Sequence, residues 1–174
     1  MREAKAVELV WRERAERLSE RPVSAGPAQN AFPVLVLGIA KERYGIDLPD
    51  VAEVLPLQRV TPVPGAPAVF AGVINVHGEI RPVIDLRRFL GMEAAKDGQA
   101  RVILLRKDGR ELGLEIDSVE HVRWIGTGEL GTAELGGGDS EAGGSQHVKG
   151  STKDLLMLLS TEALFRELPA GVTN

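Results

Sequence analysis

Short apolar stretches, some alternating with polar residues and some uninterrupted, dominate the chain from residue 34 onward. Alternation indicates strands with one buried face, and uninterrupted β-branched runs indicate strands buried on both faces. His77-Gly78 and Asp108-Gly109 suit tight hairpin turns, because glycine readily adopts a positive φ. The predicted strands cover residues 34–39, 43–48, 70–76, 79–86, 101–106, 111–117, 119–125 and 154–159.

Helices are predicted only at the margins of these strands. Asp85 can cap a short helix over residues 86–90, and Ser160 or Thr161 can cap a last helix that Pro169 terminates. Many short strands with tight turns favour small β-barrels over a parallel sheet built from βαβ units. The pattern therefore predicts an all-β fold in two strand-rich halves of similar size.

Three further expectations concern single strands and turns. Pro82 has no backbone N–H to donate, so its strand is expected at a sheet edge or a bulge. Leu48-Pro49-Asp50 suits the start of a helical turn, which Pro56 is expected to stop. The strand over residues 119–125 is expected to be the third strand of the second half.

Residues 3–20 have the pattern of a solvated helix with a thin apolar stripe. The stripe recurs at spacings of three and four and consists of Ala4, Val7, Trp11, Ala15 and Leu18. Such a helix either docks on its own domain or presents Trp11 to a partner, and the sequence leaves both readings open.

The chain has 174 residues, which suits one domain with a divided core or two small cores. Residues 24–30 are typical of a linker, and the glycine-rich residues 126–150 predict a loop. We expect an N-terminal helix and linker at residues 1–30, a domain at residues 31–168 and a tail at residues 169–174.

Composition narrows the classes of function. The absence of cysteine excludes thiol nucleophiles and cysteine zinc sites and fits a reducing cytoplasm. A net charge of −4 argues against a general nucleic-acid binder. No apolar run reaches the roughly 18 residues of a membrane span, and the N-terminus lacks the apolar core of a signal peptide. We expect a cytoplasmic protein without direct membrane insertion, which contacts membranes through another protein.

No constellation of residues predicts an active site. Gly126 to Gly131 fits the dinucleotide pattern G-x-G-x-x-G, but that pattern needs a following helix, and three consecutive glycines follow here instead. His77, His121 and His147 lack the spacing of a metal site. We expect no enzymatic activity, no cofactor and no metal. A small nucleotide-binding enzyme is the alternative from another class, and it rests on the glycine pattern alone.

Several separated motifs resemble CheW-like domains. Residues 60–88 contain Gly72-Val-Ile-Asn-Val-His-Gly and Ile80-Arg-Pro-Val-Ile-Asp-Leu-Arg, where the family pattern runs G-V-x-N-x-R-G and then I-x-P-x-x-D-L-R after a proline-rich entry. Tyr44-Gly-Ile-Asp-Leu, Gly113-Leu-Glu-Ile-Asp-Ser-Val and His147-Val-Lys-Gly are similar to further family motifs. The resemblance covers about residues 32–166.

This resemblance implies two five-stranded, SH3-like barrels packed on a shared core. It also implies a non-enzymatic chemotaxis adaptor that joins the regulatory domain of the histidine kinase CheA to the cytoplasmic tip of a chemoreceptor, a methyl-accepting chemotaxis protein. Such an adaptor would be recruited to membrane-associated receptor arrays. An accessory protein that binds receptors without recruiting kinase is the alternative within the family. The signal, the receptor and the type of motility stay open.

The resemblance also implies partner-binding residues. Where the family motif has arginine this chain has His77, and the residue expected to pair with it is Glu53. Histidine supplies neither a permanent charge nor a bidentate fork. Either the two side chains share one hydrogen bond, or partner choice or kinase coupling is altered. By position, the residues that resemble the receptor-contact groove of the family are Val51, Gly72, Val119 and Val122. An ordinary role of these residues in the barrel core is equally compatible with the sequence.

Overall fold

The computed structural model describes residues 30–93, 100–131 and 147–166, and these residues form a mostly β fold. The strands are β1 (Ala31–Ile39), β2 (Glu42–Asp47), β3 (Val51–Gln58), β4 (Phe70–Val76), β5 (Glu79–Asp85), β6 (Ala100–Lys107), β7 (Arg110–Ile116), β8 (Ser118–Gly126), β9 (Val148–Ser151) and β10 (Leu156–Leu159). The helices are α1 (Leu86–Phe89) and α2 (Thr161–Arg166), with 3-10 turns at Leu48–Asp50 and Thr127–Glu129. The predicted N-terminal helix and linker, the tail and residues 132–146 of the predicted loop lie outside the described residues.

The strands form two five-stranded sheets with the same topology. Sheet I has the order β8-β1-β2-β10-β9, and sheet II has the order β3-β6-β7-β5-β4. In each sheet two antiparallel hairpins lie side by side and meet through one parallel pairing, β2 with β10 or β7 with β5. The two sheets thus share one architecture, although the sequence shows no clear repeat.

The strands of sheet I are not consecutive in the sequence. Strand β8 pairs antiparallel with β1, so the expectation that it belongs with the preceding strands of the second half is wrong. The hairpin of β1 and β2 lies between β8 and β10 and completes a sheet whose other strands come from the C-terminal part of the chain. Strand β1 is therefore a central strand, which explains its apolar residues on both faces.

Alternating side chains of β1 and β6 serve two different cores. On β1, Leu35 and Leu37 belong to a large core shared by both sheets, while Val34 and Val36 belong to a core of sheet I alone. On β6, residues alternate in the same way between the shared core and a core of sheet II. The predicted arrangement of two five-stranded units packed on a shared core is thus present, and each unit has a small core of its own. The SH3-like character of each sheet stays a prediction.

A single pair of residues closes each sheet at its edge. Thr61, beyond the end of β3, bridges to Val73 on β4 through two backbone hydrogen bonds of 2.9 Å. Gly131, beyond the end of β8, bridges to Ser151 on β9 in the same way. Each bridge satisfies backbone groups that an open edge would leave exposed to other strands.

Pro82 meets one of the two alternatives expected for it, and Pro56 departs from expectation. Strand β5 is not an edge strand, because β4 and β7 flank it, but its pairing with β4 has a bulge between Phe70 and Gly72, beside the pair of Val73 and Pro82. Pro82 pairs with Val73 on β4, and the pairing with β7 begins one residue later at Val83, so the missing N–H interrupts no bond to β7. Pro56 does not stop a helix: the turn ends at Asp50 and β3 follows, an edge strand whose register shifts next to this proline.

Both short helices are capped from the strand before them. The side chain of Asp85 accepts a hydrogen bond of 3.2 Å from the backbone of Arg88, which confirms the predicted cap of α1. Of the two predicted caps for α2, Ser160 is the one used, since its hydroxyl accepts from the backbone of Ala163 at 3.3 Å. Strand β9 was not predicted, and it occupies the end of the expected glycine-rich loop.

Candidate functional site

A histidine and a glutamate meet where the first and last strands of sheet II come together. His77 lies in the β4–β5 turn and Glu53 on β3, and their Nε2 and Oε2 atoms are 3.0 Å apart. The predicted hydrogen bond between them is therefore present. Both side chains face solvent, with 77% of His77 and 41% of Glu53 exposed. An exposed pair of this kind contributes on the order of 0–1 kcal/mol to stability, so its location suits recognition better than folding.

The backbone of the turn holds His77 in place. His77 has a φ of 51° and Gly78 a φ of 91°, which is the double left-handed conformation of a type I′ hairpin turn. The side-chain oxygen of Asn75 accepts a hydrogen bond of 2.8 Å from the Gly78 backbone and tightens the turn. The imidazole is thus presented from a rigid hairpin.

The same hairpin is anchored to its neighbour β7. Arg81 on β5 donates from Nε to Oε2 of Glu111 at 2.6 Å, and Arg106 on β6 donates to the other carboxylate oxygen at 2.7 Å. The hydrogen bond from Arg81, followed by that from Arg106, holds the pKa of Glu111 below its usual value. These charge-assisted bonds fix the position of the strand behind His77.

Gly72 lies behind the surface and not on it. It is buried, with a φ of 144°, and a Cβ placed there would collide with the carbonyl oxygen of Thr61 and come within 3.0 Å of the Pro62 Cα. Those atoms belong to the segment that closes sheet II. The geometry therefore gives Gly72 a structural role, in which it allows the closing segment to approach β4.

The predicted valines border the shared core. Val51 and Val119 are half-buried and pack against it, whereas Val122 is 46% exposed. Val51 pairs with Leu105, and Val119 and Val122 pair with Leu37 and Leu35 of β1. Directly paired residues point to the same face of a sheet, so all three valines face the side of the shared core.

Two further exposed residues extend this set. Val54 on β3 is 45% exposed and pairs with Ile103, a residue of the shared core. Trp124 on β8 is 42% exposed and pairs with Pro33, on the same face as Leu35. We name the groove surface the set formed by Val51, Val54, Val119, Val122 and Trp124.

Two bulges explain why sequence reasoning missed Val54 and Trp124. Between Val51 and Glu53, two residues of β3 stand opposite one residue of β6. Between Val119 and Val122, three steps on β8 match two steps on β1. Each bulge shifts the alternation by one residue. A strict period of two therefore assigns residues such as Val119 and Trp124 to opposite faces, although they share a face in the structure.

The remaining sequence candidates do not form a site in the part of the chain that the structure describes. Gly126 ends β8 and Gly131 forms the closing bridge, with a 3-10 turn between them, so these glycines serve the sheet. His121 is exposed on β8, and His147 packs against the Phe89 ring at a centroid distance of 4.2 Å. Among the described residues no group of three histidine, aspartate or glutamate side chains could hold a metal ion. Likewise, no described helix is long and apolar enough to cross a membrane.

Comparison with known proteins gives a consistent result. The profile of the CheW-like domain matches residues 33–168. The chemotaxis protein CheW of Treponema pallidum is 31% identical over 110 residues, which cover 60% of this chain and 65% of that protein. A probable chemotaxis protein CheW of Rhizobium etli is 29% identical over 137 residues, which cover 77% of this chain and 87% of that protein. The match to T. pallidum thus spans less than two thirds of the relative.

Two further similarities extend the comparison. Protein FrzA of Myxococcus xanthus is 33% identical over 96 residues, which cover 55% of this chain and 60% of that protein. The crystal structure of the scaffolding protein TtCheW from Thermoanaerobacter tengcongensis superposes with a TM-score of 0.66 at 29% identity. That superposition covers 82% of this chain and 99% of the other chain.

Proposed function

This chain belongs to the CheW-like family, and we propose that it is the chemotaxis adaptor that couples receptors to the histidine kinase CheA. The matched relatives are named as chemotaxis and scaffolding proteins, so a role as a chemotaxis scaffold follows from the family itself. The coupling of a receptor tip to the regulatory domain of CheA is the finer part of the proposal.

The groove surface is the observation that carries this proposal. Three of its residues, Val54, Val122 and Trp124, leave more than two fifths of their surface in solvent. Val122 and Trp124, two residues apart on β8, point to the same face, and adjoining exposed apolar side chains are typical of interaction sites. An amphipathic helix of a partner binds by laying its apolar stripe against such a surface.

The pair of Glu53 and His77 is an exposed polar feature separate from this surface. Glu53 lies on β3 next to Val54 but points to the other face, as its pairing with Leu104 requires. Exposed polar groups set orientation and partner choice more than affinity. We assign Val51, Glu53, His77, Val119 and Val122 to receptor contact, and Gly72 to the support of the hairpin.

His77 also favours the second candidate within the family, an accessory protein that binds receptors without recruiting kinase. An imidazole, which has no permanent charge, replaces the fixed charge that the family motif has at this position. Coupling to kinase would be lost if that charge is needed to hold receptor and kinase in register. The two candidates share receptor binding and differ in binding to CheA.

Two separate binding measurements test the proposal. Isothermal titration of the full chain with a receptor-tip fragment, and with the isolated CheA regulatory domain, is expected to show saturable binding in both cases. Binding of the receptor tip alone would select the accessory protein. Binding of neither partner would contradict both candidates. Because an adaptor acts by binding, no turnover of nucleotide is expected, and dialysis against ATP and NAD is expected to show no retention.

A further inference from the structure

A cavity of about 440 Å³ opens at one end of sheet I. Its apolar wall includes Phe32, Pro33, Leu130 and Leu158. Leu158 is a buried residue of the sheet I core, and Phe32 and Leu130 are partly buried residues packed against that core. The wall is therefore an open end of a hydrophobic core, and covering it would remove apolar surface from water.

A chain of alternating charges borders the cavity. Lys107 pairs with Asp50 at 3.4 Å and with Glu162 at 2.6 Å, and Lys149 pairs with Glu162 at 3.8 Å and with Asp47 at 2.8 Å. The border thus has three carboxylates for two lysines. Both lysines are already engaged, so the border has an excess of acceptors.

One acceptor of this border finds no donor among the described residues. The Oδ1 atom of Asp47 is buried without a hydrogen-bond partner there, although Oδ2 bonds Lys149. Buried polar atoms nearly always have a partner, because an unmade bond costs free energy. A hydrogen-bond donor is therefore expected to arrive at Asp47 from outside the described residues.

Four segments lie outside the described residues, and the first has the required chemistry. Residues 1–29 join the described chain two residues before Phe32 and contain six basic and five acidic residues. Residues 94–99 contain one basic residue, one acidic residue and no large apolar residue. Residues 132–146 contain three acidic residues, no basic residue and one leucine. Residues 167–174 contain one acidic residue and no basic residue. Arginine donors and a stripe with a large aromatic residue occur together in the first segment alone.

We propose that the N-terminal segment docks on this cavity in the same chain, with Trp11 against the apolar wall. The stripe that contains Trp11 would cover the open end of the core, and Arg12 or Arg14 would donate to Asp47. Tryptophan suits this contact because one side chain covers a large apolar area and carries its own donor. This contact is independent of the receptor and kinase contacts proposed above.

Tryptophan fluorescence tests this contact in the full chain. The chain has two tryptophans, so Trp124→Phe leaves Trp11 as the single emitter. In this variant the emission of Trp11 is expected at a shorter wavelength than in urea-unfolded protein, with protection from acrylamide quenching, at every protein concentration. Leu130→Glu in the same background places a charge on the wall and is expected to shift the emission back toward the unfolded value.

Two matched variants make the result specific. Leu155→Glu changes an exposed leucine in the β9–β10 turn, 78% accessible and outside the cavity, and is expected to leave the emission of Trp11 unchanged. Pro33→Glu, on the wall, is expected to repeat the effect of Leu130→Glu, which guards against misfolding of one variant. Emission equal to that of unfolded protein, no response to either wall variant, or a blue shift that grows with concentration would overturn the proposal. The last result would indicate docking on a second copy.

Discussion

Two glycines of the β4–β5 hairpin share a positive φ but have different surroundings. Gly72 has a φ of 144° and Gly78 a φ of 91°. A Cβ at Gly78 meets nothing within 4 Å, whereas a Cβ at Gly72 collides with the Thr61 carbonyl. A side chain at Gly78 therefore tests backbone strain alone, whereas a side chain at Gly72 also displaces the segment that closes sheet II.

Gly72→Ala is expected to lower the free energy of unfolding by at least about 1 kcal/mol more than Gly78→Ala. Both variants place an L-residue in a disfavoured conformation, and only Gly72→Ala must also move Thr61. Urea denaturation of both variants measures the difference. The bulkier Gly72→Asp is expected to abolish receptor binding together with this loss of stability. Equal stability of the two alanine variants would contradict the assigned role of Gly72.

His77→Arg is expected to strengthen binding to receptor or kinase by a few-fold at most, because the pair with Glu53 is solvent-exposed. Arginine supplies a permanent charge and up to two charge-assisted bonds. Calorimetric titrations of both proteins with the receptor tip and with the CheA regulatory domain measure the change.

Two outcomes of that experiment would count against the expectation. An affinity that arginine leaves unchanged would show that the pair contributes nothing to coupling. Weaker binding with arginine would show that the partner surface has adapted to histidine, which favours altered specificity.

At the scale of elements, the two bulged edge strands β3 and β8 determine which side chains form the groove surface. Each bulge adds one residue and returns an apolar side chain to the face of the shared core. The exposed residues Val54, Val122 and Trp124 follow these bulges. The surface therefore depends on strand geometry as much as on residue type.

Val122→Asp is expected to weaken binding of the receptor tip at least about tenfold, with little change in melting temperature, because an exposed apolar contact is lost and a charge is desolvated. Ile80→Asp is the matched control, since Ile80 is 61% exposed on β5. Titration calorimetry and thermal melts measure the two effects. Equal weakening by both variants would argue against a specific role of the groove surface.

Strand positions were predictable from the sequence where the apolar pattern was uninterrupted, as in β1 and β6, or alternated regularly, as in β7. Strand β3 was missed because Pro56 suggested a break, although an edge strand tolerates a proline. The hydrogen bond between Glu53 and His77 was expected from the resemblance and is present. Val54 and Trp124 could not be found, because a bulge leaves no periodic signal in the sequence.

At the scale of the whole molecule, the shared core and α2 tie the two sheets together. Glu162 on α2 pairs with Lys107 of sheet II and with Lys149 of sheet I. The hydrogen bond from Lys107, reinforced by Lys149, lowers the pKa of Glu162 to about 2. The carboxylate is half exposed, so solvent screens part of this interaction.

Glu162→Gln is expected to lower the melting temperature at neutral pH and to have no effect near pH 2. The pKa of Glu162 is lower in the folded state than in the unfolded state. Its stabilisation is therefore fully present above about pH 4.5 and is lost as pH falls toward about 2. Thermal melts from pH 2 to pH 7 of both proteins measure the difference. A difference that persists unchanged at pH 2 would show that the glutamine acts through packing.

The assignment of strands to sheets was the part of the whole fold that the sequence did not predict. Residues 119–125 look like a continuation of the preceding hairpin. Strand β8 nevertheless pairs with β1, which is far from it in the sequence. Pairing of distant strands depends on which faces are buried together, and β1 has apolar residues on both faces. When several strands have apolar residues on both faces, a local sequence pattern does not show which of them pair with one another.

The most direct test of the account is whether the full chain bridges its two proposed partners. A receptor-tip fragment immobilised on beads is incubated with the CheA regulatory domain, with and without the chain. The account predicts that the CheA domain is retained on the beads only when the chain is present, and that Val122→Asp reduces this retention while Ile80→Asp does not. Retention of the chain with no retention of the CheA domain would contradict the coupling function.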